Sequence, residues 1–129
     1  MFRPMARKAA VELAREWFSH AEEGNADGMA DLLADDATFH AETIRGQRFR
    51  GRESIERFLA ESGFEARGYS YTAVDFEHAV VTVSLRRRLP GHGLADSTLA
   101  MVFKGEGDEI VCMDAFPSAD AAFASLARD

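Results

Sequence analysis

The chain has 129 residues, 47% of them apolar, and a formal charge of −7 from 22 acidic and 15 basic side chains. That is one domain's worth of sequence with enough apolar material for a real core, which excludes both a second sizeable core and a disordered chain. The acidic balance argues against a nucleic-acid binder, the single cysteine, Cys112, excludes an internal disulfide framework and a multi-cysteine zinc site, and no apolar run approaches a membrane span. The start, Met1 to Lys8, is basic and leads into an amphipathic rather than a secretory stretch. Residues 1–8 therefore read as a flexible N-terminus, and the chain as a soluble, cytoplasmic domain.

In chain order, a first helix shows a stripe of Leu13, Trp17, His20 and Gly24, widened by Ala10, Ala14, Phe18 and Ala21. Gly24 closes it, and Asn25 caps a second helix that turns Met29, Leu32 and Leu33 inward and ends at Asp35-Asp36. Ala37–Ala41 reads as a short strand and Glu42–Arg50 as a polar loop holding Arg45, Arg48 and Arg50. Gly51-Arg52-Glu53-Ser54 opens a third helix, with Ile55, Phe58 and Leu59 on its buried face and Gly63 as its stop. From Glu65 the apolar period becomes two, predicting a meander of four strands at Tyr69–Phe76, Ala79–Leu89, Leu94–Lys104 and Glu109–Phe116. Turn residues break it at Glu77-His78, Pro90 to Gly93 and Gly105 to Asp108. Ser118 caps a short amphipathic C-terminal helix over residues 118–127, a cap on the fold or a dimer contact. Helices, strand, helix and then an antiparallel sheet make an α+β domain with helices packed on one curved sheet.

Three stretches carry a family resemblance: the helix, Gly24-Asn25-Ala26-Asp27-Gly28, helix unit; Leu33-Ala34-Asp35-Asp36-Ala37-Thr38; and Arg50-Gly51-Arg52-Glu53-Ser54-Ile55-Glu56-Arg57-Phe58. Over residues 10–117, and best from Trp17 to Thr38, the chain resembles the nuclear transport factor 2-like superfamily, within it the SnoaL-like and ketosteroid isomerase-like branch. The resemblance implies a single domain with a cone-shaped fold. In it, three N-terminal helices pack on a curved, mostly antiparallel sheet around one deep, mostly apolar cavity, commonly in a homodimer. These motifs specify the fold better than the activity.

Carried over residue by residue, the resemblance also implies an absence. Ketosteroid isomerase chemistry needs a carboxylate base and an oxyanion hole built from a tyrosine hydroxyl and a protonated aspartic acid. Here the tyrosine position falls on Trp17, the base on Ala41, the second donor on Leu99 and a supporting tyrosine on Leu59, so that chemistry is not expected. With Leu99 facing in, strand alternation turns Ser97, Met101 and Phe103 inward as well, and Asp96 and Thr98 outward. The same alternation gives Val81, Val83, Leu85 and Arg87 one face, and separates Met113 and Ala115 from Cys112 and Asp114. The expected lining is Trp17, Phe39, Ala41, Leu59, Val83, Leu85, Leu99, Met101 and Met113, which suits a small hydrophobic molecule.

Three residues are candidate catalysts. Glu42, one past the empty base position, is either turned inward at a bulge, where desolvation would make it a usable base, or a solvated loop glutamate. His20, one turn beyond Trp17, is either a cavity acid/base or a half-buried helix histidine bonded to backbone or water. Arg87 either clamps a ligand oxygen or is one member of the exposed run Arg86-Arg87-Arg88. His40 faces away from Ala41, and His78 and His92 fall in turns. Arg45, Arg48, Arg50 and Arg52 form either an anion-attracting rim or a solvated charge set. No histidine pair has metal-ligand spacing, so neither metal nor cofactor is expected. Two functions follow. One is a cofactor-free isomerase, cyclase or hydratase/dehydratase with Glu42 or His20 as base and Arg87 or the Trp17 indole polarising a carbonyl. The other is a non-catalytic ligand-binding or dimeric scaffold module. The expected partners are a small hydrophobic molecule and a second copy of the chain, with no nucleic acid and no membrane.

Overall fold

The structure, a computed structural model, describes residues 8–41, 47–61, 65–89, 91 and 93–127. Helix α1 (Ala10–Glu22) buries Ala10, Leu13, Ala14, Trp17 and Phe18, the stripe its 3.6-residue period demands, while Ala21 is exposed. Gly24, at φ +69°, turns the chain into α2 (Ala26–Asp31), and the Asn25 side chain accepts from the Gly28 amide as its cap.

Helix α2 is shorter than expected. The chain joins the sheet at Leu33, so β1 spans Leu33–Ala41, with the Ile110 amide donating to the Leu32 carbonyl at 2.7 Å. Asp35 and Asp36 are solvent-facing residues of β1, where its register against β6 shifts between Leu33 and Thr38. Pairing with a distant strand decides this stretch, not local helix propensity. A second correction is β2 (Gln47–Arg50), an antiparallel partner of β1 where a polar loop was expected. Phe49 is its anchor: its ring stacks on Phe58 at 4.4 Å and lies 6.2 Å from Phe39.

Helix α3 (Arg52–Glu61) follows, then β3 (Glu65–Ala73), β4 (His78–Leu89), β5 (Gly93–Glu106), β6 (Glu109–Phe116) and α4 (Ala119–Ala127). The β3 to β6 meander is present with adjusted ends. Strand β3 stops at Ala73 because Asp75 accepts from the amides of Glu77 and His78 and closes the turn. Strand β5 runs to Glu106, leaving the turn to Gly107 at φ +65°. The sheet order is β2-β1-β6-β5-β4-β3, with β1 and β6 parallel and the other pairs antiparallel. Helices packed on a curved, mixed and mostly antiparallel sheet make the α+β architecture that the sequence predicts.

Helices α1 and α3 cover the concave face and α4 the outer one. Register lines up two apolar rows across the concave face: Ala79, Phe103, Met113, Phe39 and Phe49, then Val81, Met101, Ala115 and Ala41. On the outer face Ala122 of α4 is buried against Val80, Ala100 and Val102, and Ser118 accepts from the Ala121 amide as the cap. Among the described residues no helix is long and apolar enough to cross a membrane.

Edge strand β3 is held to α1 by two polar-aromatic clasps. The Arg15 guanidinium lies 4.2 Å over the Tyr71 ring, the Tyr69 hydroxyl donates to Glu22, and Phe18 packs 4.6 Å from Tyr69. Burial, and then the Glu22 carboxylate, push the Tyr69 hydroxyl from its ordinary 10.0 up to about 12. A folded pKa above the unfolded one gives stability that is fully present below the unfolded value and lost as pH rises through the folded one. Tyr69→Phe should therefore flatten the fall in stability between pH 10 and about 12, read as denaturant midpoint against pH. An alkaline limb as steep in the variant as in the parent would refute this account.

Candidate functional site

The interior of the cone is built by alternation on the strands and by the α1 stripe. Trp17, Phe39, Ala41, Val83, Met101 and Met113 lie in one buried cluster, and Leu99 is half-buried against it. Leu59 and Leu85 are part of α3 and β4, but their side chains lie outside the described residues. Among the described residues no polar or charged residue is buried. Trp17 is 2% exposed, edge-to-face against Phe18 at 5.2 Å and Phe103 at 5.7 Å. Its indole Nε1–H is buried and has no acceptor among the described residues. A buried donor left without a partner costs about 1–3 kcal/mol. An acceptor brought in from outside would recover that cost.

The expected catalysts are placed unevenly. Glu42 lies outside the described residues. Arg87 sits on β4 opposite Ala95, with its side chain outside the description. His20 is half-buried at the corner between α1 and α2, its Nδ1 3.2 Å from Asn25 Nδ2. Because Asn25 Oδ1 accepts from the Gly28 amide at 2.9 Å, the amide orientation is set and Nδ2 donates to His20. Nδ1 is then the acceptor in this contact. A Cβ at Gly28 would come within 2.5 Å of the same Nδ1, so α2 supplies a glycine where the imidazole seats.

His40 and Asp114 face outward, with His40 Nδ1 3.8 Å from Asp114 Oδ1. Cys112 shares that face, its Sγ 3.7 Å from Asp114 Oδ2, and burial pushes its thiol up. His78 Nδ1 lies 2.9 Å from Asp75 Oδ1 and its hydrogen bond holds that carboxyl below its usual range. His92 and Arg45 lie outside the described residues. Arg52 belongs to no rim: its Nη2 donates to the Leu33 carbonyl at 2.8 Å and pairs with Asp35 at 3.1 Å, tying α3 to β1. Among the described residues no group of three His, Cys, Asp or Glu side chains could hold a metal ion.

Sequence reasoning missed the clasp residues Arg15, Glu22, Tyr69 and Tyr71, whose partners are some 50 residues apart in the chain. It also missed the lone indole donor. Trp17 was visible as an inward residue, but whether its N–H finds an acceptor depends on everything packed around it.

The SnoaL-like domain model matches residues 14–116. None of the curated proteins matches the chain in sequence. Its structure is similar to that of a proposed polyketide cyclase from Xanthomonas campestris pv. campestris, with TM-score 0.71 and 17% identity over 89% of this chain and 94% of that one. It is also similar to a proposed ketosteroid isomerase from Kribbella flavida, with TM-score 0.72 and 21% identity over 85% and 78%. A Mycobacterium tuberculosis protein solved in complex with estradiol-17β-hemisuccinate gives TM-score 0.67 and 12% identity over 88% and 97%.

Proposed function

Because the chain belongs to the SnoaL-like domain family and holds a buried indole donor with no partner among the described residues, we propose that it binds a small, largely apolar molecule inside the cone through one hydrogen bond from Trp17. The observation that carries this reading is the Trp17 Nε1–H. It selects, from apolar molecules of suitable size, those with an acceptor such as a ketone oxygen, while Phe39, Val83, Met101 and Met113 supply non-directional contact. A protein of similar fold solved in complex with estradiol-17β-hemisuccinate supports a small, largely apolar ligand in this reading.

Ketosteroid isomerase-type chemistry at this site would need a base, which Ala41 cannot be, and a second oxyanion donor, which Leu99 cannot be. The attachment of His20 to Asn25 favours a structural part for that imidazole. Binding is the function the geometry supports best.

Trp17 is the only tryptophan, so intrinsic fluorescence reports on the site itself. 1-Tetralone should quench or shift it and should bind about five times tighter than tetralin, the value of one net hydrogen bond of about 1 kcal/mol. In Trp17→Phe, followed by calorimetry, the two probes should bind alike. His20→Ala and Glu42→Gln should leave both affinities within about twofold, because neither residue is needed for binding. Absence of any fluorescence response to either probe would overturn the proposal, as would a ketone preference that survives Trp17→Phe.

A further inference from the structure

We propose that the outer face of the β1–β2 hairpin is a second binding site, for an oxyanion: a phosphate or carboxylate group carried on a small molecule. The hairpin has two opposite characters. Phe39 and Phe49 turn into the core, so the alternate residues Thr38, His40, Arg48 and Arg50 face outward. Register places Arg48 opposite His40 and Arg50 opposite Thr38. Side chains so paired stand about 4.5–5.5 Å apart at Cβ, and residues two apart on a strand are roughly 6.6 Å apart. Two guanidinium forks at that spacing can reach one oxyanion, with the Thr38 hydroxyl as a further donor.

A cleft of about 510 Å³ opens at this place, lined by Thr38, His40, Arg48, Arg50 and Asp114 among others. That is in the range of small-molecule sites, roughly 300–1,000 Å³, and leaves room for the molecule that carries the anion.

Charge points the same way. Arg48 and Arg50 are exposed, and among the described residues neither has a carboxylate within ion-pair reach. Other arginines are differently placed: Arg52 pairs with Asp35 and Arg15 lies over Tyr71. The row that starts at Arg50 and Thr38 continues through Cys112 to Lys104. The cleft itself thus holds two permanent cations, Arg48 and Arg50, and one carboxylate, Asp114, on a chain whose formal charge is −7. Like charges left side by side repel, and a bound oxyanion relieves that repulsion while gaining charge-assisted hydrogen bonds. The site lies across the hairpin from the interior and does not depend on what the cone binds.

The test is an amide NMR titration of the full chain with sodium phosphate and, separately, sodium acetate, at ionic strength held constant with sodium chloride. Saturable shifts confined to residues 38–40 and 48–50, at millimolar probe, are the expected result, and the tighter probe identifies the oxyanion. Arg48→Gln combined with Arg50→Gln should weaken binding at least tenfold. Thr38→Val, which keeps both charges, should weaken it several-fold. Arg57→Gln removes one charge from α3 and should leave it unchanged. Absence of saturable shifts with both anions would overturn the site, as would equal weakening by Arg57→Gln. So would a double variant that converts a dimer to a monomer in sedimentation without any anion-dependent shift in the parent, since this face would then be an interface between copies.

Discussion

Phe103→Ala is expected to lower stability by about 3–5 kcal/mol, the cost of emptying a large aromatic site in a packed interior. Phe103 is 0% exposed and its ring lies 5.7 Å from both Trp17 and Phe18, so α1 rests on it. At a total stability of about 5–15 kcal/mol for a domain of ordinary size, that is a large fraction of the whole. At about 4 °C per kcal/mol the melting temperature should fall by about 12–20 °C. Thermal unfolding followed through Trp17 fluorescence measures both the loss and the loosening around the indole. A fall of less than about 4 °C would mean that α1 does not rest on Phe103 as its contacts with Trp17 and Phe18 indicate.

Gly105→Val is expected to cost about 1–3 kcal/mol or more through overpacking. A Cβ at Gly105 would lie 2.7 Å from Leu13 Cδ1 and 3.6 Å from both the Ala10 Cα and the Glu109 carbonyl. Leu13 is fully buried, so its side chain can yield only by shifting within the core. Leu13→Ala alone should cost about 2–5 kcal/mol by leaving a cavity. The new valine partly fills that cavity, so the double variant should be more stable than the sum of the two losses predicts, a coupling of about 0.5–3 kcal/mol. Chemical denaturation of the four proteins in the cycle measures it. Strict additivity would show that the helix does not sit directly on this strand position.

Gly105 also shows where sequence reading stops. In the chain it belongs to a run, Gly105-Glu106-Gly107-Asp108, that looks like one turn. Gly107 makes the turn through its positive φ, whereas Gly105 is a strand residue that must lack a side chain because α1 crosses above it. The first is local backbone chemistry and the second is a contact between elements 92 residues apart. Strand β2 escaped for a related reason. Gln47-Arg48-Phe49-Arg50 does alternate, but four residues with one apolar member carry too little signal until Phe39 and Phe58 are known to receive Phe49. The early start of β1 at Leu33 is set by Ile110, far along the chain.

The site divides along the same line. Once one inward residue is chosen, a period of two assigns every neighbour on a strand to a face. That is why Phe39, Ala41, Val83, Met101 and Met113 could be grouped from the chain alone, and why His40 and Asp114 were separated from them. What a given polar atom meets is not periodic. His20 lies on the same helix stripe as Trp17, yet its ring is taken by Asn25, while the Trp17 N–H is buried and has no acceptor among the described residues.

By itself, then, the sequence determined the class of fold, the helix α1, the meander, the caps at Asn25 and Ser118, and the partition of apolar and polar faces. All of these follow from local periodicity and from hydrogen bonds a few residues long. Only the tertiary structure decided that Arg48 and Arg50 meet Thr38 and His40 beside an outer cleft, that Arg52 binds back to Leu33, that Tyr69 finds Glu22, and that a buried indole has no partner among the described residues. Each depends on which distant surfaces desolvate one another. Burial and electrostatic strength are properties of that assembled neighbourhood and not of any residue within it.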